Sequence, residues 1–166
     1  MSVPKSGICW LVLQPSDDLA FERIINKPAR GIGEKTIDKF RNRAKADAIP
    51  LYQAMVSMTT EGAFSGKTKN ALENFINLMT EWRRIMQAIP LGEFAETIVD
   101  ESGYMAMLEQ DKSVEAPGRI ENIKELISVM SDEENYPNLA EFLEHVSLVI
   151  DNEYNDNANK VIVSTL

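Results

Sequence analysis

The sequence predicts an all-α fold, and three observations carry that expectation. Apolar residues recur at spacings of three and four over nearly everything between Asp17 and Ile150, the period of a helix with one buried face. Pro15, Pro50, Pro90 and Pro137 stand between those stripes, where a residue lacking a backbone N–H opens or closes a helix. Only Val161-Ile-Val-Ser-Thr-Leu166 has the composition of a strand. With 166 residues and 44% hydrophobic content, the chain is long enough for one domain with a real core.

The elements follow in order. Residues 1–14 are the least legible, since Ile8, Trp10, Leu11 and Leu13 suit either the end of a helix or a short strand. Pro15-Ser-Asp-Asp18 is a turn and N-cap. It opens a helix with Leu19, Ala20, Phe21, Ile24 and Ile25 near one face. Pro28 stops that helix, Gly31-Ile-Gly33 turns the chain, and a second helix spans Glu34 to Ala46 with Ile37 and Phe40 inward. Pro50 opens a short helix through Met55 and Met58; Gly62 to Gly66 is a loop, with Ser65 as its candidate cap. A long helix covers Lys67 to Ala88 and carries Leu72, Phe75, Ile76, Met79, Trp82, Ile85 and Met86. Leu91, Phe94, Ala95, Ile98 and Val99 form the next stripe, which ends at Gly103. Tyr104 to Glu109 is a short helix and Lys112 to Gly118 a polar loop. Ile120, Ile123, Leu126, Ile127 and Met130 mark another helix. Pro137 and Asn138 start the last, with Leu139, Phe142, Leu143, Val146 and Val149 inward. Asp151 to Lys160 is a polar linker.

Charge is unevenly distributed. The chain carries −9 overall, yet residues 23–45 hold eight basic and two acidic side chains, a local +6 that leaves −15 for the rest. A positive island on an acidic protein points to a localised nucleic-acid contact, not to a general polyanion coat. The acidic balance argues against binding a membrane surface with the whole molecule, and no apolar run approaches spanning length. Lys5 alone precedes the short apolar run Ile8–Leu13, which argues against a signal peptide. Cys9 is the one cysteine, which excludes an internal disulfide and fits the reducing cytoplasm.

The island centres on Asn26-Lys-Pro-Ala-Arg-Gly-Ile-Gly33 and the helix that follows. Two glycines let a backbone approach a partner where a Cβ would collide. The first amides of the second helix have no intrahelical acceptor, and the dipole there favours an anion. With Arg30, Lys35, Thr36 and Lys39 around that point, the natural anion is a phosphate. A solvated helix–turn–helix corner with glycine at a helix end has the same signature, and Gly-x-Gly alone does not separate the two.

Other motifs carry less. Gly62-Ala-Phe-Ser-Gly66-Lys67-Thr68 resembles a phosphate-binding loop, but three residues stand between the first glycine and Gly-Lys where the motif needs four. It is a loop and helix start, with Lys67 and Lys69 still placed to meet a phosphate. His145 is the sole histidine and has no Cys or His companions at metal spacing. Glu133, Glu134, Glu141 and Glu144 suit solvated faces, and no serine, cysteine or lysine has a catalytic setting. The residues describe an all-α module with one basic hairpin and neither a catalytic, a metal nor a cofactor site.

Four ordered stretches carry a family resemblance. Asp17 to Gly33 resembles the segment opening the 2B subdomain of the UvrD/PcrA/Rep helicases of superfamily 1. Ser102 to Gln110 looks like that family's post-helix segment, and Arg119-Ile-Glu-Asn-Ile-Lys-Glu-Leu126 is similar to its RIENLEEL helix. Val161 to Leu166 looks like the strand entering helicase motif V. The first ten residues do not match, and the Walker A loop, the Walker B acids and the arginine sensing the γ-phosphate are absent from the sequence. The resemblance therefore implies an excised subdomain: a boundary segment at 1–14, an all-α 2B-like body at 15–151, and a linker and strand at 152–166. ATP and Mg would belong to the parent, a 3′–5′ DNA helicase of repair and replication. The fragment alone would not hydrolyse ATP. Its implied partners are double-stranded DNA near a fork, met without sequence preference, the rest of the parent, and repair proteins. The family pattern assigns the DNA contact to Gly31, Ile32 and Gly33, with Lys35 and Thr36 beside them. The competing expectation is a protein-binding or autoinhibitory module acting through the acidic helices.

Overall fold

A computed structural model describes residues 4–148, all of whose regular structure is helical. The helices are α1 (Pro4–Leu13), α2 (Asp18–Ile24), α3 (Glu34–Asp47), α4 (Leu51–Thr60), α5 (Gly66–Ile85), α6 (Leu91–Glu101), α7 (Tyr104–Gln110) and α8 (Ala116–Met130). A further helical stretch, α9, spans 139–148. The all-α expectation holds over this range. Val149, the linker and the expected strand at 161–166 lie outside the described residues.

Packing sorts the helices into two neighbourhoods. In the first, α1 lies on α2 and α5, α3 lies on α4, and α4 touches both α2 and α5. Gly7 permits the α1–α2 approach, since a Cβ there would come within 2.9 Å of Ile24 Cγ2. The joint of α2, α3 and α4 is aromatic: the Phe21 ring stands edge-on to Phe40 at 6.2 Å and to Tyr52 at 6.5 Å, a favoured arrangement of ring quadrupoles. The Asp17 carboxylate accepts from Ala20 N–H at 2.9 Å and caps α2. Asp18 accepts from Leu51 N–H at 2.8 Å. It thereby serves the start of α4, where Pro50 has no capping side chain of its own.

In the second neighbourhood α6, α7 and α8 pack on one another. Gly92 of α6 faces Ser131 at the end of α8 so closely that an added Cβ would lie 3.0 Å from its Cα and overlap its hydroxyl. A small apolar pocket between α1, α6 and α8 is lined by Ile8, Cys9, Ala95, Ile98, Ile123 and Met130. Burial there pushes the Cys9 thiol up to about 12. The neighbourhoods join at α5 and α6, where fully buried Trp82 donates its indole N–H to Glu101 at 2.7 Å. Leu139, Phe142, Leu143 and Val146 of α9 complete the same core.

Three expectations change. Residues 4–13 are helical, which resolves the alternatives left open for the N-terminal segment. The polar loop after α7 is shorter than Lys112 to Gly118, because α8 already begins at Ala116. Pro117 sits in that first turn, where its missing N–H would have no partner anyway. Ser65 precedes α5 but its side chain makes no capping bond.

Candidate nucleic-acid interface

The segment between α2 and α3 is built around one buried side chain. Gly31 has φ +73°, a left-handed conformation that lets the chain reverse, and Ile32 then plugs into the core with 2% of its surface exposed. Asn26 grips the same residue from behind: its Oδ1 accepts from Ile32 N–H at 3.3 Å and its Nδ2 donates to the Ile32 carbonyl. Arg30 turns inward. Its Nη1 donates to the carbonyls of Ile24 at 2.6 Å, Ile25 at 3.2 Å and Pro28 at 3.1 Å. Its guanidinium also lies 5.0 Å from the Phe75 ring centroid on α5. Burial lowers its pKa from the ordinary value, but an arginine stays charged. The Lys27–Pro28 peptide is cis.

Gly33 is the N-cap of α3, with φ −72° and ψ 161°, and supplies no side chain to cap it. Its carbonyl accepts from Thr36 and Ile37 N–H. The N–H groups of Gly33, Glu34 and Lys35 have no acceptor among the described residues. Space beside them is open: a Cβ added to Gly31 or Gly33 meets nothing within 4 Å. Lys27, Lys35 and Lys39 are exposed, and Thr36 is half-buried. Lys39 Nζ stands 5.6 Å from the Phe64 ring.

The local charge of +6 is not all free. Arg41 binds Glu22 at 2.8 Å and Glu34 and Asp38 at 2.7 Å each, and these bonds raise its pKa. Arg43 holds Asp47 and makes a two-point pair with Glu61 at 2.9 and 3.0 Å. Arg23, Lys27, Lys35, Lys39 and Lys45 make no ion pair among the described residues. The site is thus a basic corner whose own acids are held back by Arg41, with unpaired amides at its apex. Such an arrangement can bind an oxyanion through backbone donors and surrounding lysines.

The family model of the UvrD-like helicase C-terminal domain matches residues 8–166. The chain belongs to this family. It is 35% identical over 142 residues to DNA helicase II of Rickettsia typhi, covering 85% of this chain and 21% of that protein. It is 33% identical over 144 residues to DNA helicase II of Escherichia coli K12, covering 83% and 20%. Its identity to ATP-dependent DNA helicase PcrA of Bacillus subtilis is 33% over 144 residues, covering 85% and 19%. The chain spans about a fifth of the length of these curated relatives.

Of the residues singled out in the sequence of this UvrD-like domain, Gly31, Ile32, Gly33, Lys35, Thr36 and Lys39 gather at one corner. Ile32 contributes as an anchor, not as a surface. Arg30 lies behind it. The look-alike loop at Gly62 to Thr68 stands at the start of α5, where Lys67 is exposed and Lys69 pairs with Glu73 at 3.6 Å. His145 is exposed, its ring edge-on to Tyr136 at 5.4 Å. Sequence reasoning missed Asn26 and Asp18, whose partners lie 6 and 33 residues away. An Asn just after an apolar helical face, followed by Lys-Pro, was the available hint for the first; nothing local marks the second.

Proposed function

We propose that this chain is the duplex-contacting, regulatory 2B subdomain of an ATP-dependent 3′–5′ DNA helicase of repair and replication. It holds the DNA backbone near a fork through the hairpin at Gly31–Gly33, with Arg30 behind it, and through Lys35, Thr36 and Lys39. The observation that carries this reading is the bare N-terminus of α3: among the described residues, three amides without acceptors, open space around Gly33, and lysines without ion-pair partners beside them. Donors of this kind meet phosphate, which positions a protein without reading bases. The grip is therefore indifferent to sequence and weakened by salt. ATP and Mg would act in the parent's motor domains, whose motifs this chain lacks, so the fragment alone hydrolyses no ATP. A cytoplasmic location belongs to the same reading.

The test is a titration of labelled duplexes of unrelated sequence at several salt concentrations. A Kd of roughly 10⁻⁴ to 10⁻⁶ M is expected, as for other non-specific contacts. Gly33→Val keeps every charge and, at φ −72°, leaves the turn unstrained; it should weaken binding by blocking backbone approach. If Gly33→Val and Lys35→Ala both fold and both bind like the parent chain, the hairpin is not the DNA contact. A second reading then gains ground, because residues 91–148 hold fourteen acidic and three basic side chains, a net −11. That surface suits a basic protein partner, or an autoinhibitory contact with the rest of the helicase.

A further inference from the structure

Arg30 sits in the middle of the basic island and is the cation nearest the glycines in sequence, yet its bonds point away from the surface. One nitrogen reaches three carbonyls, of Ile24, Ile25 and Pro28, all at or just past the C-terminal end of α2. Ile24 and Ile25 carry carbonyls at the end of α2, where Ile24 also accepts from Lys27 N–H at 3.2 Å, and a cation there also meets the negative end of the helix dipole. The Phe75 ring closes the other side at 5.0 Å. Asn26 brackets Ile32 through both its amide atoms. The two residues stand on opposite flanks of Gly31, and Gly33 follows directly after the gripped Ile32.

We propose that Arg30 is a positioning residue for the backbone anion site and makes no contact with DNA. It ties the end of α2 to α5, Asn26 fixes Ile32 to the same frame, and the amides of Gly33, Glu34 and Lys35 are thereby held outward before any phosphate arrives. The proposal deepens the duplex-binding reading and rests on it. Pre-ordering removes the ordering penalty that a loose hairpin would meet on binding. Lysine cannot replace arginine here. A single ammonium could meet the carbonyls that Nη1 reaches, but it lacks the guanidinium plane that lies against the Phe75 ring at the same time.

The experiment compares Arg30→Lys, Arg30→Gln and Asn26→Ala with the parent chain in duplex titrations over a range of salt, alongside amide exchange. Positioning predicts that all three lose affinity by a similar factor, roughly tenfold for the charge-assisted bonds of Arg30. Plots of log affinity against log salt should stay parallel to the parent's, because no phosphate contact has been removed. The Ile32 amide, bonded to Asn26, should exchange faster in each variant while α8 amides keep their rates. A phosphate contact predicts instead that Arg30→Gln makes the slope shallower by about 0.9 and that Arg30→Lys binds almost normally; either result overturns the proposal. A merely structural role is also separable: melting falls but the folded protein keeps its affinity and its Ile32 exchange rate, which equally refutes positioning. If an Arg30 variant does not fold, Asn26→Ala decides, since it loosens the hairpin without altering charge. If the parent chain binds no duplex at all, the reading of the previous section fails, and unchanged Ile32 exchange in the variants would separately refute the clamp.

Discussion

Two helices of this domain begin in nearly the same way and are prepared differently. Both α3 and α5 follow a glycine with positive φ, Gly31 at +73° and Gly62 at +79°. Neither has a capping side chain, and both have exposed lysines in the first turn, Lys35 on one and Lys67 and Lys69 on the other. Their approaches differ. Ahead of α3 the chain is pinned by fully buried Ile32, by the Asn26 bracket and by Arg30. Ahead of α5 the last backbone bond among the described residues runs from Ala63 N–H to the Met58 carbonyl. Half-buried Phe64 then leans on Phe40, with ring centroids 5.6 Å apart. A bare helix start is common; one whose amides are held in place before the ligand comes is a better anion site. The difference lies in the residues behind the turn, not in the glycines that mark it.

The largest expected contrast comes from removing each anchor. Ile32→Ala should cost about 2–5 kcal/mol in denaturant unfolding, the range for truncating a fully buried aliphatic side chain. Phe64→Ala should cost clearly less, because part of that ring is already in water. Equal losses would show that the two approaches are equally well packed. Next in size are the glycines. Gly31→Ala and Gly66→Ala place a Cβ at φ +73° and +60° and should each destabilise by about 1–2 kcal/mol. Gly33→Ala, at φ −72° with open space around it, adds no backbone strain and should lower the midpoint less than Gly31→Ala, by only the deficit of alanine against glycine at an N-cap. A drop there matching Gly31→Ala would mean that the turn is not built as described.

The sequence made the helical body legible because its stripes are long and regular. The buried residues of α5, namely Leu72, Phe75, Met79 and Trp82, follow the period that betrays them. Residues 4–13 were ambiguous because all seven residues from Gly7 to Leu13 are apolar or small, and helix and strand bury such a run equally well. The corner of the candidate site was legible from Gly-Ile-Gly and its lysines. The division of labour within it was not. Charge counting gives Arg30, Arg41 and Lys35 the same weight, whereas one is folded inward and one is held by Glu22, Glu34 and Asp38. Which cation stays free depends on neighbours 2 to 19 residues away, and of these only the Asp38–Arg41 pair, three residues apart on α3, is visible as a local spacing.

A smaller effect separates the lysines. Lys35→Ala should weaken binding alike for every duplex and make the salt slope shallower by about one unit if that lysine neutralises one phosphate. Lys67→Ala on α5 should leave the slope unchanged. If Lys67 moves the slope as much as Lys35, both helix starts touch DNA and pinning is not what distinguishes them.

The smallest expected effect is the most pointed, because stability and binding should move in opposite directions. The chain caps helices elsewhere with side chains: Asp17 accepts from Ala20 N–H, and Asn138 accepts from Glu141 N–H at 2.9 Å. At α3 it has glycine. Replacing glycine by serine at an N-cap gains a few tenths of a kcal/mol, and the open space and extended backbone at Gly33 accept the change. Gly33→Ser should therefore raise the unfolding midpoint slightly. On the proposed reading the same hydroxyl would occupy a first-turn amide that a bound phosphate would use, so duplex affinity should fall although no charge has changed and the salt slope stays as it was. Gly33→Asp should lower affinity further, since it adds a negative charge where the anion is meant to sit. If Gly33→Ser is stabilised and binds duplex as tightly as the parent chain, the first-turn amides are not the donors, and binding must run through the lysines alone.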